Sequence, residues 1–170
     1  MPDLKRLRFA LRHVDLDYVE NAPKKQIFTT EIAGTPEQVW HELADDAATW
    51  SEWFPQVRYG AYVGGGTPGI DSRRVVHLQG GAKFQETILA FEPGARYTWR
   101  VDACSLPVFA ALVEDWRVEP AGDGSRSTVT WTFAYEPRLL FKLAEPLAPK
   151  AMGRSFKQAT ANLEARAAAS

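Results

Sequence analysis

The chain has 170 residues, of which 45% are hydrophobic and 12% aromatic, with a formal net charge of −1. Such a composition supports one packed core and excludes a globally disordered chain. Near-neutrality gives no electrostatic case for nucleic acid or an anionic membrane as the main partner. The single cysteine, Cys104, excludes an internal disulfide and a multi-cysteine zinc site. No run approaches the ~18 apolar residues of a membrane span, so integral membrane association is not expected. The first residues have no apolar stretch like that of a signal peptide, being interrupted by Asp15, Asp17 and Glu20. The expectation is a soluble, cytoplasmic protein.

Residues 1–23 carry mixed signals and end at Ala22-Pro23. They read as an N-terminal extension that packs loosely or adds an edge segment to a single domain over 24–170. The stretch from Lys24 to Gly34 alternates Ile27, Thr29 and Glu31 with Phe28, Thr30 and Ile32, the pattern of a strand. Thr35-Pro36 with Gln38 has the signature of a helix start: an N-cap, a first-turn proline and a capping-box partner. Val39, Trp40, Leu43 and Ala44 make that helix amphipathic. A second short helix or turn, holding Trp50 and Trp53, follows and is stopped at Pro55.

Strand-like runs then alternate with turn signals: Gly64–Gly66, Gly80-Gly81, Pro93-Gly94 and Gly122–Gly124. Their spacing predicts consecutive hairpins and hence an antiparallel meander. From Arg138 the period becomes helical. Pro146 and Pro149 divide a short lead, with Leu139, Leu140, Leu143 and Leu147, from a main helix carrying Met152, Phe156, Ala159 and Leu163. Residues 138–170 hold Arg138, Lys142, Lys150, Arg154, Lys157 and Arg166 against Glu145 and Glu164, so a basic element caps an acidic body. The plain reading of that asymmetry is a solvated helix face. The fold class is therefore α+β: a curved antiparallel sheet wrapped around a long C-terminal helix, with two short helices after the first strand.

Three stretches carry a family resemblance: TPEQVWHELAD…WSEWFP, ETILAFEPGARYTWRV and GDGSRSTVTWTFAYEP. In this order they resemble the START-like or Bet v 1-like (SRPBCC) superfamily, in its polyketide cyclase/dehydrase branch, over residues 26–166. The resemblance implies a helix-grip fold with a cavity between sheet and C-terminal helix. It does not imply one activity, because this fold carries lipid transfer, hormone binding and aromatic cyclisation alike. In such a fold the two short helices wedge against the open end of the sheet. Trp40, Trp50 and Trp53 would hold that wedge, each burial contributing about 1.5–3 kcal/mol; Trp50 is the one expected to line the pocket.

Period two assigns the strand faces. The inward sets are Val129, Trp131, Phe133 and Tyr135; Tyr97, Trp99 and Val101; and Leu112, Glu114, Trp116 and Val118. One face of the 84–91 strand holds Phe84, Glu86, Ile88 and Ala90. The other holds Gln85, Thr87, Leu89 and Phe91, and it is not excluded. For residues 72–78 the pattern does not choose between Arg73, Val75, His77 and Arg74, Val76, Leu78. Glu114 and Glu86 with Arg73 and His77 would make a polar cluster in an apolar cavity, able to polarise a carbonyl or move a proton. The alternative is a structural Glu–Arg bridge, or a bulge that turns Glu114 outward. Tyr59, Tyr62 and Tyr97 are further candidates to supply hydroxyls.

Gly64–Gly69 formally matches G-x-G-x-x-G, yet a strand rather than a helix follows, so no dinucleotide fingerprint is read. The resemblance makes it a gating loop at the pocket mouth instead. His13, His41 and His77 lie on different elements with no metal-pair spacing, and neither metal nor cofactor is expected. Cys104 reads as inert. The leading expectation is a binder of an apolar aromatic, polyketide-like or lipid-like small molecule, as a monomer or homodimer. Its pocket would be formed by Trp50, Tyr97, Trp99, Glu114, Trp116, Trp131, Phe133 and Phe156. An aromatase/cyclase or dehydratase using the same cavity is the alternative, and a protein-interaction module working through the basic helix is the third.

Overall fold

The computed structural model describes residues 7–168. Strand β2 (Lys24–Ala33) pairs along its whole length with β8 (Arg126–Pro137), Lys24 opposite Tyr135 and Ala33 opposite Arg126. Helix α2 (Pro36–Trp40) starts as the sequence requires. The Gln38 amide donates to Thr35 Oγ1 at 3.4 Å and the Thr35 amide donates to Gln38 Oε1 at 2.9 Å. The helix widens into a π-type turn over His41–Asp45, and a 3₁₀ turn at Ala47–Thr49 leads into α3 (Trp50–Trp53).

The chain then runs back and forth through β3 (Val57–Val63), β4 (Arg73–Leu78), β5 (Lys83–Glu92), β6 (Arg96–Cys104), β7 (Phe109–Ala121) and β8. Neighbouring strands are antiparallel in the order β2-β8-β7-β6-β5-β4-β3. A short helix, α4 (Leu139–Ala144), precedes α5 (Ala148–Ala167), which buries Phe156, Ala159, Thr160, Leu163 and Ala167. This is the α+β helix-grip arrangement. Among the described residues no helix is long and apolar enough to cross a membrane.

Residues 9–12 are neither loose nor at an edge. Pairing of β6 with β7 stops at Arg100–Val113, and the two strands part. Into that split goes β1 (Phe9–Ala10), Phe9 opposite Cys104 and Ala10 opposite Ala103. The Leu11 amide donates to Asp102 O at 2.9 Å and the Arg12 amide to Ala110 O at 2.8 Å, so the segment bridges both strands. Backbone groups that the parting strands would leave unpaired are thereby satisfied. Helix α1 (Tyr18–Asn21) follows on the convex face, where Val14, Tyr18 and Val19 cover Ala111 and Val113.

The early tryptophans form the junction between α3 and the sheet. Trp50 lies 4.5 Å from Trp53, 5.5 Å from Trp99 and 5.6 Å from Trp116 between ring centroids, and Trp116 stacks on Trp131 at 5.6 Å. Helix α5 is tied to the same junction. Arg166 Nε donates to Glu42 Oε2 at 2.7 Å, Asn162 Nδ2 donates to Trp53 O at 3.0 Å, and Arg166 Nη1 also binds Glu52. Strand β3 meets this block at Gly60, where a Cβ would stand 2.3 Å from the Ala47 carbonyl oxygen. Gly60→Ala must push backbone away from backbone. It is expected to cost about 1–3 kcal/mol of stability in urea unfolding, and a loss below ~0.5 kcal/mol would show that the contact is slack.

Candidate functional site

Between the concave face of the sheet and α5 lies a cavity of about 390 Å³. Trp50, Trp99, Trp131 and Phe133 stand in its wall, as do Glu114, Glu86 and Arg74. Its mouth is marked by the exposed lining residues Gln56, Leu106 and Ala151, with half-buried Ala82, Phe141 and Met152 beside them. These belong to the α3–β3 connection, the β4–β5 turn, the β6–β7 loop and the α4–α5 region. Residues 64–69 do not line the cavity, contrary to the expected gating loop. They join β3 to β4 at the far end of those strands from the β4–β5 turn, so strand length separates them from the mouth.

The expected ligand residues divide into two layers. Trp50, Trp99, Glu114, Trp131 and Phe133 face the cavity, whereas Tyr97, Trp116 and Phe156 stand behind it and are not in its lining. Trp116 and Phe156 pack on Trp131 at 5.6 and 6.1 Å, fixing its ring from behind. The split has a simple cause. Pleat parity selects a face, but an inward side chain reaches the cavity only where no second layer of helix covers it.

Arg73 and His77 are corrected by register. The β4–β5 hairpin closes with the Leu78 amide on Ala82 O, around residues 79–81, and that register sets Arg74 opposite Glu86; it is Arg74, Val76 and Leu78 that face inward. Arg73 is exposed, and His77 lies on the outer face with its ring 5.2 Å from Tyr59. On β5, a bulge between Ile88 and Ala90 switches the parity. Phe91, rather than Ala90, therefore joins the interior, 5.0 Å from Trp40 and 5.9 Å from Tyr97.

Arg74 is the residue that reading of the sequence left undecided, and it organises the site. It is 1% exposed and donates through Nε to Glu86 Oε2 at 2.7 Å and through Nη1 to the Tyr97 hydroxyl at 3.2 Å. Its guanidinium lies 4.3 Å from the Trp99 ring centroid and 4.8 Å from that of Trp50, cation–π contacts to two rings that stand nearly perpendicular to each other. Tyr97 and Tyr62 share a hydrogen bond of 2.7 Å, and Tyr62 donates onward to Ala44 O at 2.8 Å. Tyr59 stays on the outer face with His77. Burial alone would lower the Arg74 pKa, but the Glu86 carboxylate together with the Tyr97 and Tyr62 hydroxyls outweighs it and keeps the guanidinium charged. Burial raises the Glu86 carboxyl, and Arg74 pulls the other way.

Glu114 differs from Glu86 because no cation among the described residues is in contact with it. It accepts a hydrogen bond from Trp131 Nε1 at Oε2, 2.9 Å away. Burial, reinforced by the nearby Glu86 charge, pushes its pKa from 4.5 up to about 8; Arg74 and Trp131 only partly oppose this. At neutral pH it is largely a protonated acid facing an apolar cavity, able to donate a hydrogen bond to a carbonyl or to give up a proton. Cys104 is buried and donates to Leu106 O at 2.7 Å, with burial raising its thiol above the ordinary range. No group of three or more His, Cys, Asp or Glu among the described residues is placed to hold a metal ion.

A profile of polyketide cyclase / dehydrase and lipid transport proteins matches residues 27–168. The chain belongs to that family. An uncharacterised protein of Mycobacterium tuberculosis is 32% identical over 141 residues, covering 83% of this chain and 79% of its own. Among solved structures, the Zhui aromatase/cyclase from Streptomyces sp. R1128 superposes with a TM-score of 0.70 at 15% identity, over 85% of this chain and 93% of that one. A START superfamily protein from Mycobacterium smegmatis gives 0.66 at 15% identity, over 84% and 96%. Major latex-like protein 151 from Panax ginseng gives 0.67 at 21%, over 84% and 95%. At these identities the likeness establishes the shared START/Bet v 1 fold and leaves activity to be argued from the site.

Proposed function

We propose that this protein binds an apolar small molecule, aromatic, polyketide-like or lipid-like, in the cavity between sheet and C-terminal helix. The observation that carries the reading is the chemistry of the wall. Trp50, Trp99, Trp131 and Phe133 supply apolar surface, and the polar groups are few: Glu114, the Arg74–Glu86 pair, and Gln56 with Ser155, which hydrogen-bond to each other. Burial of the ligand's apolar body would give affinity, and an acceptor atom on the ligand would be oriented by the Glu114 acid. Native mass spectrometry of freshly purified protein, followed by denaturation and identification of what is released, tests this. A bound apolar adduct, or competitive displacement of an apolar dye from the cavity, is expected. Absence of both would remove the reading.

A second reading, an aromatase/cyclase or dehydratase, is favoured by the protonated state of Glu114 in particular. In a dehydration, Glu114 would give its proton to a departing hydroxyl, released as water. It would then recover a proton from the adjacent carbon as the double bond forms, returning to its starting state. Binding alone needs a hydrogen-bond donor there. Turnover needs a transferable proton.

A further inference from the structure

Beside the cavity mouth, Leu139, Leu143 and Leu147 are 75%, 76% and 74% exposed, and Leu140 is 49% exposed. Leu139 and Leu143 share one face of α4, and Leu147 follows at the same interval of four. Phe141, between them, turns inward to pack 4.6 Å from Phe109. A helix whose inner side is already satisfied by Phe141 has no folding reason to carry three large leucines in water.

Charge around these leucines is one-sided. Lys142, Lys150, Arg154 and Lys157 are all exposed, and Lys142, Lys150 and Arg154 have no carboxylate partner among the described residues. Glu145 is the one acid of residues 138–157. It is occupied by Lys24 at 3.3 Å and by the Tyr135 hydroxyl at 3.1 Å. The net charge of −1 conceals this, because most of the acidic residues lie earlier in the chain.

We propose that residues 138–157 form a docking surface for an anionic phospholipid membrane, with the α4 leucines inserted between headgroups and Lys142, Lys150 and Arg154 on the lipid phosphates. A second copy of this chain fits less well. A two-fold contact through this face would bring the same unpaired cations against each other. Nucleic acid would use aromatic platforms, and the exposed apolar groups here are leucines. The docked orientation turns the mouth toward the bilayer, since Leu106, Phe141 and Met152 join the leucine patch to the cavity lining. Docking itself does not depend on what the cavity holds.

The test is co-sedimentation at low salt with vesicles of phosphatidylcholine alone and of phosphatidylcholine mixed with phosphatidylglycerol. The full chain is expected to sediment with the mixed vesicles only. Leu139→Gln/Leu143→Gln/Leu147→Gln is expected to lose at least tenfold in partitioning, and each of Lys142→Gln, Lys150→Gln and Arg154→Gln about fivefold. Unchanged near-ultraviolet circular dichroism and apolar dye uptake show that the variants remain folded. No sedimentation with the mixed vesicles overturns the proposal, as does binding indifferent to the leucine substitutions. Sizing that shows a dimer dissolved by the leucine variant also overturns it and assigns the face to a second copy.

Discussion

Glu114→Gln is expected to gain stability over the natural protein as pH rises, by about 3–5 kcal/mol between pH 4.5 and pH 8. The sign follows from the proton count. The folded protein holds the Glu114 proton up to about pH 8, whereas the unfolded chain releases it near 4.5. Folded protein therefore binds more protons across that window. The stability contributed by the neutral acid is complete below 4.5 and is lost progressively as pH climbs to 8. Glutamine cannot ionise, so the variant escapes this loss, and it keeps an oxygen to accept from Trp131 Nε1. Urea unfolding of both proteins at intervals from pH 4 to 9 reads the difference directly. A pH-independent difference would mean that Glu114 titrates as an ordinary carboxyl and that the cavity wall is wetter than the packing around it implies. The same variant divides the two functional readings. Its side-chain amide can still donate to a ligand carbonyl, so binding is expected to survive, while any dehydration or cyclisation that needs a transferable proton is expected to fall by roughly 10²–10⁴.

Arg74→Met is expected to cost about 3–5 kcal/mol at pH 7, because it strands Glu86 in a site only 3% exposed without a counter-charge. The loss should shrink as pH falls. Without Arg74 the Glu86 carboxyl rises further, and the folded state recovers stability once the carboxyl is protonated. The double variant Arg74→Met/Glu86→Leu should regain most of what the single variant loses, since an apolar pair suits this interior. The interaction energy from the complete cycle, including Glu86→Leu alone, is expected to exceed ~2 kcal/mol in favour of the natural pair. Additive single losses would show that Arg74 acts through Tyr97 and the tryptophan rings rather than through Glu86.

If the pair is replaceable, its retention needs a reason other than stability. Arg74 and Glu86 both face the cavity, and the Glu86 charge helps keep Glu114 protonated. Glu86→Leu alone, which removes the like charge and leaves Arg74 beside the acid, is therefore expected to lower the Glu114 pKa and move the pH dependence of stability toward acid. That shift connects the buried bridge to the chemistry of the neighbouring acid.

Much of the architecture was legible along the chain because it depends on local physics. Thr35, Pro36 and Gln38 specify a helix start within four residues, and the structure forms both capping bonds. Alternation on β6, β7 and β8 assigned Trp99, Glu114 and Trp131 to the interior, where they lie, because pleating is a property of each strand alone. The Gly80-Gly81 pair marked the β4–β5 hairpin but not its register: a two-residue turn there would set Val75 opposite Glu86, whereas the loop over residues 79–81 sets Arg74 there. Other features had no local signal. The Leu89 bulge that brings Phe91 inside depends on how β5 meets β6. The split between β6 and β7 that admits residues 9–12 depends on strand divergence. Whether an inward aromatic touches the cavity, as Trp131 does, or stands behind it, as Trp116 does, depends on what α3 and α5 cover. Periodicity thus determined elements, order and faces. Depth, register and the setting of Glu114 emerged only on folding, because they arise from contacts between residues far apart in the chain.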